Sequence, residues 1–367
     1  MQWVQQYNGT GSNQDNARAI VVDDSENVYI SGFSAGQTTE YDFATIKYNY
    51  SGDSLWVRRY NGPVDGIDGS YSISLDHLNN VFVSGKSEGR NGNDTNSDYA
   101  IIKYNSTGVL QWIQRYNGLA NGHDEAYALD IDLLGDVYVT GFSQGITTLY
   151  DYATLKYSST GIQQWVQRYN GFNGKGSDVA KSISIDGFGN VFVTGYSAGE
   201  TFPNQYDYAT LKYNSYGAIQ WIQRYNGLAN GIDWAYSLAL DSIGNVYITG
   251  ESFDNNTGMD IVTIKYSQTI GIHPISTEVP VEYTLQQNYP NPFNPVTNIN
   301  FSIPKTGVVK LTVYDAAGRE TATLFNGELS AGTYNYDFDA SHLASGIYFY
   351  KLEADDFTQT KKMVLVK

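Results

Sequence analysis

The sequence predicts an all-β protein in two parts, and three observations predict it. A seven-residue word, Trp112-Ile113-Gln114-Arg115-Tyr116-Asn117-Gly118, has near-copies starting at Trp3, Trp56, Trp165 and Trp221, so the tryptophans stand 53, 56, 53 and 56 residues apart. A period of that length, built from strand-like words and turn residues, belongs to a radial or solenoid array of β-units. Tyrosine (32 residues) and glycine (37 residues) are abundant, a pairing that suits short strands joined by tight turns. The period then stops. Six of the eight prolines fall between Pro274 and Pro304, and alternating segments of a different kind follow.

The first part is residues 1–266. Each repeat holds four strand-like words; in the second these are Ser70 to Asp76, Asn80 to Gly85, Asp98 to Tyr104 and Leu110 to Tyr116. Short turns separate them, such as Leu133-Leu134-Gly135-Asp136, Gly187-Phe188-Gly189-Asn190 and Asn105-Ser106-Thr107-Gly108, where Gly and Asn adopt positive φ at little cost. Four antiparallel strands about every 50 residues is the arithmetic of a β-propeller blade. The first word alternates small and large side chains. Ala17/Ala19, Ser70/Ser72, Ala126/Ala128, Ala180/Ser182 and Ala235/Ser237 are expected on one face, and Ile20/Val22, Ile73/Leu75, Leu129/Ile131, Ile183/Ile185 and Leu238/Leu240 on the other. That asymmetry suits inner strands crowded around an axis.

Five first words, ending at Asp23, Asp76, Asp132, Asp186 and Asp241, predict five blades. The chain opens on an outer-type strand, Gln2 to Tyr7, and the fifth unit ends after its third word at Tyr266. The expectation is that the N-terminal strand completes the last blade, closing the ring and removing two sheet edges. The alternative is a piece of a longer array. Residues 267–282 read as a linker, and residues 283–367 as an immunoglobulin-like β-sandwich of about seven strands, with words such as Thr297 to Ile303, Val308 to Tyr314 and Gly346 to Leu352.

Composition narrows the function. A formal net charge of −16 repels phosphate backbones, which argues against a nucleic-acid partner. No run of 18 apolar residues occurs, so no membrane-spanning helix is expected. The chain has no cysteine, which removes thiol nucleophiles, disulfides and Cys-based zinc sites. Met1-Gln2-Trp3 opens inside a repeat word, so an export leader is expected to lie outside this chain.

The run Asp186-Gly187-Phe188-Gly189-Asn190-Val191-Phe192-Val193-Thr194-Gly195, with its counterparts in every unit, resembles the SBBP bacterial β-propeller repeats and more distantly NHL-type blades. That resemblance implies a propeller and no particular activity. Asn288-Tyr289-Pro290-Asn291-Pro292-Phe293-Asn294-Pro295, Val313 to Arg319, Leu329 to Tyr334, Ser345 to Lys351 and the terminal Lys361-Lys362-Met363-Val364-Leu365-Val366-Lys367 resemble, in order, a type IX secretion system type A sorting domain. This resemblance implies a cargo handled by the type IX machinery and released at, or attached to, the cell surface, with Lys361 to Lys367 as part of the signal.

Two rings of aspartates follow from the register. Asp15, Asp68, Asp124, Asp178 and Asp233 precede the inner strands and are the ligand-binding candidates; Asp42, Asp98, Asp151, Asp207 and Asp260 open the third strands. Carboxylates crowded at one axis would attract a cation or basic ligand. The competing reading, favoured because a residue present in every blade more often serves the blade, is that each caps a turn or pairs with residues such as Lys103 or Arg115. No catalytic residues are assigned. Histidine is limited to His77, His123, His273 and His342, and the least repeated acids, Glu125 and Glu251, lack a distinguishing sequence neighbourhood. No cofactor or metal is expected. Ca²⁺ at Asn91-Gly92-Asn93-Asp94 is the one left open, against an ordinary hydrated loop from Ser87 to Ser97.

The functional expectation is an exported, non-enzymatic propeller that binds a surface glycan or protein, with the loops at the aspartate end as contacts. The alternative is a secreted glycan-degrading enzyme on the same scaffold.

Overall fold

The computed structural model describes residues 2–367 except residues 12, 92–93, 175, 188, 201–204, 242–243, 268–271, 277–278 and 342. The chain divides into two compact units, Met1–Tyr266 and Ser267–Lys367.

The first unit contains four four-stranded sheets and one three-stranded sheet, each an antiparallel run of consecutive strands. The first sheet comprises Asp15–Val22, Val28–Ala35, Tyr41–Tyr48 and Ser54–Tyr60; the next four begin with Asp68–Leu75, Asp124–Ile131, Asp178–Ile185 and Asp233–Leu240. These opening strands pack side by side and form the inner strands of the array.

Local chemistry explains the turns. In the first sheet Asp23 accepts the N–H groups of Ser25 and Asn27, both at 2.9 Å, and Glu26 takes a φ of 61°. Gly135 (φ 80°) and Gly244 (φ 83°) occupy the matching positive-φ position in the third and fifth sheets. The turn before each outer strand ends in Gly52, Gly108, Gly161 or Gly217, where glycine is needed twice. Its φ lies between 80° and 88°, and a Cβ would stand 2.8–3.0 Å from the indole of Trp3, Trp56, Trp112 or Trp165. The same indoles donate to a carbonyl of that turn: Trp3 Nε1 to Tyr50 O at 3.1 Å, Trp112 to Ser159 O and Trp165 to Ser215 O, both at 3.2 Å. The tryptophan period is therefore a joint between neighbouring sheets.

The joints are filled by aromatics with no exposed surface: Tyr29, Phe82, Tyr138 and Phe192 from the second strands, and Phe43, Tyr99 and Tyr152 from the third. Burying a phenylalanine side chain of this kind stabilises by about 1.5–3 kcal/mol.

Four expectations are corrected. The inner strands do not alternate strictly. A bulge separates Ala17 from Ala19, Ser70 from Ser72, Ala180 from Ser182 and Ala235 from Ser237, with its counterpart between Ala126 and Ala128. The extra residue resets the alternation. Ala126 therefore packs with Leu129 and Ile131 on one side, while Ala128 faces the joint on the other.

Gln2 to Tyr7 does not complete the fifth sheet, which ends with three strands, Asp233–Leu240, Val246–Asp254 and Gly258–Tyr266. The N-terminal word lies instead against the first sheet, with the Trp3 ring 6.1 Å from that of Tyr48. The clamp that holds the other outer strands explains why. Arg59 Nη2 bonds Asp42 at 2.8 Å and the Ser34 carbonyl at 2.7 Å, and Arg115, Arg168 and Arg224 repeat the pairing with Asp98, Asp151 and Asp207. In the N-terminal word Gln6 stands at that arginine's place. A neutral amide cannot supply the charged fork that ties an outer strand to the third strand's aspartate.

The segment read as a hydrated loop from Ser87 to Ser97 is the end of a hairpin, since Val81–Asn91 and Asp94–Tyr104 pair along their length. The Asn91-to-Asp94 candidate for Ca²⁺ includes residues outside the described ones, as does His342.

The second unit has two four-stranded sheets around one core that includes Leu285, Phe301, Leu311, Tyr350 and Met363. One orders Ile272–Ser276, Gly332–Asp339, Val296–Ile303 and Thr284–Leu285; the other Glu320–Leu329, Gly307–Asp315, Gly346–Ala354 and Phe357–Leu365. The segment read as a linker thus contributes an edge strand, Ile272–Ser276, paired with Gly332–Asp339.

Candidate functional site

The five candidate aspartates are absorbed by the repeats. Asp68, Asp124 and Asp233 have no exposed surface, Asp178 has 1%, and Asp15 is half-buried. Each accepts the N–H of the glycine that ends the preceding tryptophan word: Gly9 to Asp15 at 3.0 Å, Gly62 to Asp68 at 2.6 Å, Gly118 to Asp124 at 2.8 Å, Gly171 to Asp178 and Gly227 to Asp233 at 2.9 Å. They tie the incoming loop to the inner strand and do not line a ligand surface. Burial pushes the carboxyls of Asp68, Asp124 and Asp178 up to about 6, against the opposing hydrogen bonds of Ser87, Ser143 and Ser197 and of the glycine N–H groups. In the second ring Asp42, Asp98, Asp151 and Asp207 belong to the arginine clamps. Asp260, in the sheet without an outer strand, is exposed and accepts a hydrogen bond from Thr257 Oγ1 at 2.5 Å.

The position that differs from sheet to sheet is the bulge itself. It carries Arg18, Tyr71, Tyr127, Lys181 and Tyr236. A glycine on the paired strand permits it. Gly32, Gly85, Gly141, Gly195 and Gly250 lie so close that an added Cβ would be 1.9–2.1 Å from an inner-strand carbonyl oxygen. A side chain there would push the bulge apart.

These side chains meet a second unequal set. Glu125 bonds Lys86 at 3.2 Å and accepts the Tyr71 hydroxyl at 3.3 Å. The Tyr71 and Tyr127 rings lie 5.3 Å apart, and Lys181 Nζ sits 3.8 Å from the centre of the Tyr127 ring and 5.7 Å from that of Tyr196. Trp234 packs on Tyr196 at 5.3 Å, and Tyr236 donates to Glu251 at 2.5 Å. Burial pulls the Lys181 ammonium below the usual lysine range, with the Glu125 charge opposing it. Burial, reinforced by Glu125, holds the hydroxyls of Tyr71 and Tyr127 well above the usual tyrosine range. Among the described residues Lys181 makes no ion pair, and the Trp234 Nε1 is buried without a hydrogen-bond partner. Aromatic faces beside a few placed charges are the ordinary composition of a small-molecule or sugar subsite.

Sequence reasoning passed over this cluster because it searched for repeated residues. The signal was present in the opposite sense: between the two small residues of each first word stands a large one whose type changes along the array, Arg, Tyr, Tyr, Lys, Tyr. Glu125 acquires a neighbourhood only when neighbouring sheets bring it Lys86, Tyr71 and Lys181. Among the described residues no group of three or more His, Asp or Glu side chains is placed to hold a metal ion.

The terminal signal residues form a structured strand. Lys361, Lys362, Met363, Val364 and Leu365 lie in Phe357–Leu365, with Met363 and Leu365 buried, and Val366 and Lys367 are exposed just beyond it. The Asn-Pro-rich segment grips it. Phe293 N–H donates to Val364 O at 3.0 Å, Val366 N–H to Phe293 O at 2.9 Å, and Val364 N–H to Asn291 Oδ1 at 2.9 Å.

Fold and repeats define an all-β protein of propeller-type units joined to a separate C-terminal module. Comparison with known families is specific about both parts: residues 287–367 match the secretion system C-terminal sorting domain, and residues 164–203 and 220–256 match the SBBP beta-propeller repeat. The chain is an exported protein with propeller repeats, and its type IX sorting domain addresses it to the cell surface or outer membrane. An uncharacterized WD repeat-containing protein of Acanthamoeba polyphaga mimivirus is 29% identical over 200 residues, 46% of this chain and 13% of that relative's length. Similar solved structures include a fungal alcohol oxidase of the AA5 family in complex with copper, with a TM-score of 0.31, 10% identity and coverage of 95% of this chain and 96% of that one. A putative gluconolactonase gives a TM-score of 0.36 at 10% identity, covering 96% of this chain and 90% of that one. Among the described residues no helix is long and apolar enough to cross a membrane.

Proposed function

We propose that the protein is a non-enzymatic glycan-binding module, five propeller blades carried to the cell surface by an immunoglobulin-like β-sandwich that the type IX machinery reads. The observation that carries this reading is the unequal inner bulge. All five bulge residues are aromatic or rest on aromatic rings, Arg18 over Phe33 among them, and Tyr71, Tyr127, Lys181 and Tyr236 are joined there by Glu125 and Trp234. Tyrosine and tryptophan faces stack on the C–H faces of sugars, while the Lys181 ammonium offers a donor to hydroxyl or carboxylate oxygens. Repeated residues build the scaffold and the unrepeated ones select the ligand.

The test is the full chain on an array of surface glycans, followed by titration of the best binder. Tyr127→Ala combined with Lys181→Ala is expected to weaken binding by at least tenfold. An Asp260→Asn control, outside the cluster, should bind as the parent does. No glycan bound, or equal binding by the double variant, would remove the reading.

One observation favours the enzymatic alternative. Glu125, beside Lys86 and Tyr71, and Glu251, beside Tyr236, are carboxylates in unlike surroundings, as acid and base pairs require. Release of reducing ends from a polysaccharide panel, abolished by Glu125→Gln, would establish hydrolysis in place of simple binding.

A further inference from the structure

Four lysines that rest on aromatic rings also meet an oxygen. Lys47 Nζ lies 4.8 Å from the centre of the Tyr29 ring and donates to the Ser106 carbonyl at 3.4 Å. Lys103 lies 4.8 Å from that of Phe82 and donates to the Ser159 carbonyl at 3.0 Å. Lys156, 4.9 Å from that of Tyr138, pairs with Asp136 at 3.0 Å, and Lys351 in the second unit, 5.4 Å from that of Tyr314, pairs with Glu353 at 3.0 Å. In each case the ring supports an ammonium that an oxygen holds. Lys181 is seated more closely on aromatics than any of these, 3.8 Å from the Tyr127 ring with Tyr196 as a second at 5.7 Å. Among the described residues its ammonium donates to no oxygen.

The acids of the cluster do not fill that place. Glu125, whose charge bears on Lys181, is held by Lys86 at 3.2 Å and by the Tyr71 hydroxyl at 3.3 Å, and Glu251 accepts the Tyr236 hydroxyl at 2.5 Å. Lys181 is half-buried, so part of the cost of stripping water from its charge is met before anything binds. A ring face attracts a cation but carries no opposite charge to neutralise it. An anionic oxygen reaching this ammonium therefore finds a donor that is already partly desolvated and whose long side chain is held in place by packing, which lowers the ordering cost of the contact.

We infer that the sugar taken by the bulge cluster is an acidic one, whose anionic group, a uronate carboxylate or a sulfate ester, bonds the Lys181 ammonium while a sugar face lies on the neighbouring rings. This rests on the glycan-binding reading above and names the ligand class of that site. The position suits selection. Lys47, Lys103 and Lys156 stand at one repeated place in the third strands, whereas Lys181 stands at the inner-strand bulge, where the residue type changes from sheet to sheet. The net charge of −16 repels anions at long range, so the preference for an acidic sugar comes from contact at Lys181 itself and is open to a single substitution.

Titration of the full chain with matched pairs of oligosaccharides tests this: an oligouronate against its carboxyl-reduced form, and a sulfated oligosaccharide against its desulfated form. The charged member of at least one pair should bind more tightly by about tenfold or more, the worth of a hydrogen bond to a charged group, and the pair that shows it identifies the anion. Lys181→Met should bind both members of that pair alike, and Lys181→Arg should keep the preference. Acetylation of the parent chain, read by mass spectrometry at each lysine, needs no variant: the bound acidic sugar should protect Lys181 and leave the exposed Lys362 as reactive as before. Equal binding of charged and neutral members by the parent overturns the inference and leaves the glycan reading standing. A preference that survives in Lys181→Met, or Lys181 labelled at an unchanged rate under saturating acidic sugar, overturns it as well, since another cation is then responsible. Binding of no sugar from either pair or from the glycan array removes the glycan reading and this inference with it.

Discussion

Gly141 shows how a single hydrogen atom sets the inner surface. A Cβ there would lie 1.9 Å from the Glu125 carbonyl oxygen, so the strand pair can hold the Tyr127 bulge only with glycine opposite. Gly141→Ala should cost about 1–3 kcal/mol, the range for overpacking a filled site, read from the denaturant midpoint. Gly187→Ala, where an added Cβ meets nothing within 4 Å, should change stability by less than about 0.5 kcal/mol. Equal effects at the two positions would contradict the close-approach argument. Asp68, Asp124 and Asp178 carry the pH dependence. Burial raises their folded values from the ordinary 3.8 to about 6, so the folded chain binds these protons more tightly than the unfolded chain. Their contribution is complete below about pH 4 and is lost as pH rises through about 6. The melting temperature should therefore be higher at pH 5.5 than at pH 7.5, and Asp124→Asn with Asp178→Asn should flatten the difference. An unaltered slope in that double variant would assign the effect to other groups.

At the scale of elements, two strands of the C-terminal module decide how it can be handled. Ile272–Ser276 is an edge strand of its first sheet, so a module begun at Tyr283 leaves Gly332–Asp339 unpaired on that side. The terminal strand Phe357–Leu365 inserts Met363 and Leu365 into the core, so removing Lys361 to Lys367 strips core as well as signal. The sorting experiment should therefore fuse Ser267 to Lys367 to a periplasmic reporter with its own leader, in a host with type IX machinery. The reporter is expected at the surface or in the medium. A version begun at Tyr283 should melt lower, and Met363→Ala should lower stability by about 2–5 kcal/mol, within the range for large-to-small core changes. Replacing the exposed Lys362 and Lys367 with alanine should leave folding intact, so export lost in that variant alone would locate the signal in charge. A reporter retained in the periplasm by the intact fusion would contradict the address reading. The strand Ile272–Ser276 was hard to see in the sequence because His273-Pro274 sits inside it, and proline inside a run argues against a strand except at an edge.

Over the whole molecule, what was legible in the sequence was whatever repeats or is local. The tryptophan words, the Asp-led turns and the positive-φ glycines recur at a fixed period, so strand words, sheet count and the boundary near Tyr266 could be read directly. The C-terminal module was legible because its words occur in order. The aspartate ring was legible as a ring, and burial with the glycine N–H groups that each carboxylate accepts favours turn support over a ligand site. Three matters belonged to tertiary structure alone. Which residue of each first word turns inward depends on a bulge stabilised by a glycine on another strand, and strict alternation misassigns Ala126 for that reason. Glu125 owes its surroundings to Lys86, Tyr71 and Lys181, which are 39, 54 and 56 residues away in the chain. Whether Gln2 to Tyr7 reaches the last sheet depends on how every joint orients the next sheet, and on an arginine clamp that Gln6 does not provide. A period in the sequence determines what each unit is; only the summed geometry of the joints decides where its two ends stand.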